Sequence, residues 1–228
     1  MRVSTGVVAG SMAAVAAAQP LAARQSVTCV DGVYMIAARG STEAAGEGPL
    51  QQVTDLVMGL VPNSAAIAVD YPATIITDGT YPVSVFEGIE DAISKVQTYV
   101  DTCGSSSKIA LLGFSQGGNV MTDALAGGDL KPSPLTTNYT QFIRAVTVFG
   151  DPTYTTGQSF DVGNSTSDGI FSRGGDSLAL LNTYASVIQS YCMDEDPFCA
   201  LGLSLDTHSA EVPTFASQAA QFIASMVA

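Results

Sequence analysis

The sequence has no tryptophan, one histidine, four cysteines, and only eight basic residues against 21 acidic ones. Each shortage closes off a class of function. A single imidazole and the lack of any Cys-x-x-Cys spacing leave too few ligands for a transition-metal centre, so no metal and no cofactor is expected. A formal charge of −13 repels polyanions, which argues against nucleic acid or an anionic membrane surface as partner and points to a neutral substrate. With no tryptophan and no appended module, strong autonomous carbohydrate binding is not expected. No repeat, low-complexity tract or Ser/Thr/Pro-rich linker breaks the chain, so its 228 residues read as a single domain and a monomer. A hydrophobic share of 46% against 13% charged excludes disorder and supplies a large core.

What is present begins with a leader. Arg2, an apolar stretch over 7–18 and the triplet Ala16-Ala17-Ala18 have the layout of a secretory signal, with cleavage after Ala18. A second cut over 22–24 would remove a short propeptide, making 19–28 an N-terminal segment ahead of a domain over 29–228. The apolar stretch is shorter than the ~20 residues needed to span a bilayer, and no later segment comes close. Secretion to the extracellular space places Cys29, Cys103, Cys192 and Cys199 in an oxidising compartment, where an even count implies disulfides. Three pairings are possible. The economical one closes the short loop between Cys192 and Cys199 and joins Cys29 to Cys103. Asn138-Tyr-Thr140 and Asn164-Ser-Thr166 are glycosylation sequons, usable in a eukaryotic host.

Apolar runs over 33–38, 65–69, 109–114 and 143–149 have strand length, and helical periodicity appears over 49–60, 83–101 and 212–227. Strands alternating with helices predict a parallel sheet covered on both faces. Ligands then bind where loops leave the carboxyl ends of the strands, which directs attention to 39–48, 71–82, 150–176 and 192–207.

Gly113-Phe-Ser115-Gln-Gly117 matches Gly-x-Ser-x-Gly between the apolar run 109–114 and a helix-like segment, the context a nucleophile elbow requires. A serine hydroxyl needs a base to take its proton, and His208 is the sole imidazole, placed downstream just ahead of the predicted last helix. The residue types leave the acid open. Ten carboxylates separate Ser115 from His208; Asp151 ends a predicted strand, Asp194, Glu195 and Asp196 share the short cysteine loop, and Asp206 is too close to His208 for easy contact.

With these residues go Ala38-Arg-Gly-Ser-Thr-Glu43, Val69-Asp-Tyr-Pro72, Gly150-Asp-Pro152 and Cys192-x-x-x-Asp196-x-x-Cys199. Together they resemble the cutinase and acetylxylan esterase family, carbohydrate esterase family five, over nearly the whole chain after the leader. The resemblance implies a three-layer α/β hydrolase fold with a central, mainly parallel five-stranded sheet and no lid domain. It selects Asp196 as the acid beside Ser115 and His208, suggests the same two disulfides, and makes Ser41 an oxyanion donor beside the backbone N–H of Gln116. The expected activity is ester hydrolysis through an acyl-enzyme. Leu203 and Leu205 are candidate walls for an acyl chain, which with the form of residues 38–43 ranks cutin, other polyesters and short to medium acyl esters first. Acetylated plant cell-wall polysaccharide, the substrate of an acetylxylan esterase, is the alternative. A non-catalytic secreted binding or effector protein ranks third.

Overall fold

The computed structural model describes Met1 and residues 27–228. The leader read over 1–18 and nearly all of the segment 19–28 lie outside the described residues. Strands β1 (Tyr34–Ala38), β2 (Ala65–Ala68), β3 (Ile109–Phe114) and β4 (Ile143–Phe149) follow the apolar runs evident in the sequence. Two more, β5 (Asp161–Gly163) and β6 (Ile188–Cys192), make a six-stranded sheet, not the five-stranded one expected. Neither has a continuous apolar run: β5 is three residues long, and β6 intersperses Gln189 and Ser190 among its apolar residues.

All neighbours pair in parallel, in the order β2-β1-β3-β4-β6-β5. Alternate residues divide between two cores, as the two-residue period of a strand dictates. Ile36, Leu111 and Val146 face one core with α2 (Tyr81–Cys103) and α3 (Gln116–Ala126). Met35, Leu112 and Ala145 face the other with α1 (Gln51–Leu60) and α6 (Leu205–Val227). The short α4 (Thr137–Thr140) leads into β4, and α5 (Gly175–Asn182) packs beside α3.

The final helix departs from expectation at its start. The apolar period marks 212–227, yet α6 begins at Leu205, where the Ser204 hydroxyl caps it by accepting the Thr207 N–H at 3.1 Å. His208 therefore stands in the first turn of α6 and not ahead of it. Both economical disulfides form, Cys29–Cys103 and Cys192–Cys199. The first closes a span of 74 residues, worth roughly 4 kcal/mol in a loop-closure account. None of the described helices is long and apolar enough to cross a membrane.

Candidate active site

The strand order reverses direction at β1 and β3, and the loops leaving these two strands flank the crevice where open parallel sheets bind ligands. Ser115 stands in the turn between β3 and α3 with φ 54° and ψ −120°, a conformation that residues with side chains rarely adopt. The turn is held by the Ser115 N–H donating to Phe149 O at 2.8 Å and the Gly118 N–H donating to Ser115 O at 2.8 Å. A Cβ on Gly117 would fall 1.8 Å from Ala38 O, and one on Gly113 would fall 2.3 Å from Gly117 O. Backbone meets backbone at both positions, so the two motif glycines are steric requirements of the sharp turn.

Across the crevice the first turn of α6 carries His208, 7% exposed, its ring stacked on Phe114 with centroids 4.8 Å apart and edged by Phe198 at 4.6 Å. Nδ1 lies 2.6 Å from Asp196 Oδ2. Asp196 is fully buried, and its other oxygen accepts the N–H groups of Phe198 at 2.7 Å and Cys199 at 3.1 Å. An ionised carboxylate held this way can only accept, which puts the imidazole proton on Nδ1 and leaves a lone pair on Nε2. Ser115 and His208 border one cleft, with no direct hydrogen bond between them among the described residues.

The other acids are placed elsewhere. Asp151 is buried and turned toward α3, accepting from Thr122 Oγ1 at 2.9 Å and from Thr153 N and Oγ1 at 2.8 Å each. Asp194, Glu195 and Asp206 are exposed. Gly150, φ 57°, explains its own identity: a Cβ there would lie 2.7 Å from His208 Cε1 and 3.1 Å from Asp196 Oδ2. Gly150→Ala is expected to displace the imidazole and cut kcat on the order of 10²-fold, measured on a soluble ester with circular dichroism as the folding control.

Ser41 follows β1 in a loop cross-linked at close range. Arg39 Nε donates to Glu43 O at 2.9 Å, the Gly40 N–H donates to Glu43 Oε2 at 2.7 Å, and the Thr42 N–H donates to Ala73 O at 2.7 Å. Burial raises the Glu43 pKa, while the Gly40 N–H, Arg39 and His208 oppose the shift. The Gln116 side chain is fully buried, donating to Thr74 O at 3.0 Å and accepting from Ser84 Oγ at 3.2 Å. As the first residue of α3, its backbone N–H has no intrahelical acceptor and sits at the positive end of the helix dipole.

The cleft over these groups has a volume of about 320 Å³. Its apolar wall comes from Ile75, Ile76, Ile170 and Phe198, which sequence reasoning missed; their signal was apolar residues stranded in otherwise polar loops. Leu205 borders the cleft, whereas Leu203 is 93% exposed and outside the lining, because the turn into α6 carries it into solvent.

One turn beyond His208, Glu211 is fully buried. Oε1 accepts the Met193 N–H at 2.6 Å, and Oε2 has no hydrogen-bond partner among the described residues. Burial pushes its pKa from 4.5 up to about 8; the Met193 N–H resists and the Asp196 carboxylate adds to the rise. Between those two values the folded protein keeps a proton that the unfolded chain has lost. Stability from this group is therefore full below about pH 4.5 and is lost as pH rises to about 8. In melting temperatures from pH 5 to pH 8, Glu211→Gln is expected to lose less than the unsubstituted protein over the same interval. Equal losses in the two proteins would place the proton elsewhere.

The family model described as Cutinase matches residues 28–227. The chain is 32% identical to "Acetylxylan esterase 2" of Talaromyces purpureogenus, covering 92% of this chain and 93% of that one. It is 29% identical to "Cutinase 11" of Verticillium dahliae, covering 85% of this chain and 68% of that protein. Among solved structures, the catalytic core domain of acetyl xylan esterase from Trichoderma reesei superposes with a TM-score of 0.78 at 28% identity, covering 85% of this chain and 98% of that one.

Proposed function

The chain belongs to the cutinase family and is a carboxylic ester hydrolase, and from that premise we propose that Ser115, His208 and Asp196 carry the reaction on acetyl esters of a polysaccharide outside the cell. In this reading His208 Nε2 takes the Ser115 proton as Oγ attacks the ester carbonyl. The oxyanion is stabilised by the Gln116 N–H and by Ser41, through its N–H or hydroxyl. The alcohol leaves with the proton from His208, and a water activated by the same nitrogen releases the acid from the acyl-enzyme. Asp196 holds the tautomer throughout. The observation that carries the mechanism is the 2.6 Å contact between His208 Nδ1 and a buried, doubly hydrogen-bonded Asp196, in the cleft that holds Ser115.

Acetyl is favoured over longer acyl groups by the loss of Leu203 from the cleft wall and by the relative of greatest coverage named above. This reverses the order the sequence suggested. The Ile75, Ile76, Ile170 and Phe198 wall supports a second reading, a cutinase acting on short to medium chains. A series of p-nitrophenyl esters below any micelle threshold separates the two. The acetyl reading expects kcat/KM to peak at acetyl and to fall with added methylenes. In the cutinase reading each buried methylene instead gains up to about 0.8 kcal/mol until the groove is full. The disulfides, the predicted leader and the two sequons support export.

A further inference from the structure

Tyr81 separates the cleft from a larger neighbour. It borders both spaces, and the second is a cavity of about 690 Å³, within the range of small-molecule sites. Both linings mix apolar and polar side chains, and the cavity carries more charged ones. Where the cleft presents aliphatic side chains around the reacting serine, the cavity presents Asn119, Asp129, Lys131 and Asp176 beside two aromatic rings, Tyr81 and Phe171. The ring centroids lie 5.8 Å apart at an interplanar angle of 48°, and the Phe171 side of the pair is 44% exposed.

The floor of this cavity is built and held. Arg173, 8% exposed, donates from Nη2 to Asp123 Oδ1 at 2.6 Å and from Nη1 to Ser177 Oγ at 2.6 Å and Gly127 O at 2.9 Å, tying α3 to α5. The other Asp123 oxygen accepts from Asn119 Nδ2 at 2.7 Å and faces Lys131 Nζ at 3.4 Å. Arg173 and Asp123 thus neutralise each other on the floor, and the rim sets the Asp129 and Asp176 carboxylates against Lys131, leaving one net negative charge.

Such a lining selects no ion of either sign. It also disfavours an acyl tail, which would strip water from the exposed Asp129 and Asp176 carboxylates and give no hydrogen bond in return. A neutral, polyhydroxylated ring satisfies it: the exposed face of Phe171 takes the ring's C–H side, while the exposed carboxylates of Asp129 and Asp176 pair with its hydroxyls. We infer that this cavity is a subsite for the sugar side of a carbohydrate ester, seating a sugar residue next to the one whose ester stands at Ser115. The inference rests on the polysaccharide reading above and divides the substrate at Tyr81, acyl group to the cleft at Ser115 and glycan to the larger cavity.

The test compares unsubstituted protein and Phe171→Ala on acetylated xylo-oligosaccharides and on p-nitrophenyl acetate. The ratio of kcat/KM between the two substrates is expected to fall about tenfold in the variant, through KM. In the inactive Ser115→Ala background, calorimetric binding of a xylo-oligosaccharide is expected and should weaken by a similar factor when Phe171→Ala is added. A protein that deacetylates the oligosaccharide with an unchanged ratio in Phe171→Ala overturns the subsite and leaves the polysaccharide reading standing. Hydrolysis of p-nitrophenyl acetate with none of the oligosaccharide overturns both.

Discussion

Replacing Ser115 by alanine is expected to lower kcat for ester hydrolysis by roughly 10⁶-fold, the loss typical when a serine nucleophile is removed from an intact site. The backbone at this position already sits at φ 54°, and alanine bears the same Cβ as serine, so the exchange adds no new strain. Nor does it disturb the turn, which rests on main-chain bonds through Phe149 and Gly118. The melting temperature should stay within a few degrees of the starting value. Activity and fold are to be read on one sample, by single-turnover hydrolysis of p-nitrophenyl acetate and by thermal denaturation. A folded variant that retains turnover would remove Ser115 from the mechanism.

Replacing Asp196 by asparagine should lower kcat by as much as about 10⁴-fold. An asparagine amide can present its N–H₂ to His208 Nδ1, which fixes the opposite tautomer and turns the nitrogen facing substrate into a donor. Its oxygen can still accept from Phe198 and Cys199, so the loop keeps its anchors. Asp151→Asn is the control. The retained oxygen can still accept both bonds from Thr153, whereas the acceptor facing Thr122 becomes an N–H₂, so the expected result is a lower melting temperature with kcat per folded molecule largely kept. Were Asp151→Asn the more damaging to kcat, the assignment of the acid would fail.

The sequence made most of the frame legible, for identifiable reasons. Strands buried on both faces, such as β3, are continuous apolar runs and announce themselves. The edge strand β5 buries little and so leaves no periodic trace. The start of α6 was misplaced because the polar run 206–209 interrupts the apolar period that marks 212–227, whereas the cap that sets the true start is one serine among many. At the site, Ser115 came with a motif and His208 was the only imidazole, but Asp196 needed a family resemblance. Carboxylates are told apart by burial and donors, and neither is written in residue type. The aliphatic wall and the Tyr81 partition arise from loops that meet only in three dimensions, which no local pattern encodes.

The placement of His208 and Asp196 late in the chain bears on when the protein becomes active during its synthesis. A ribosome that has produced residues 1–196 has made the elbow and the acid but no imidazole at all. The histidine arrives with α6, whose later residues complete the core against β4 and α1. The sheet is also slow to assemble, because every parallel pairing joins strands distant in sequence. If His208 is the base as proposed, chains truncated ahead of α6 are expected to be inert toward esters, and hydrolytic competence to coincide with the docking of the last helix.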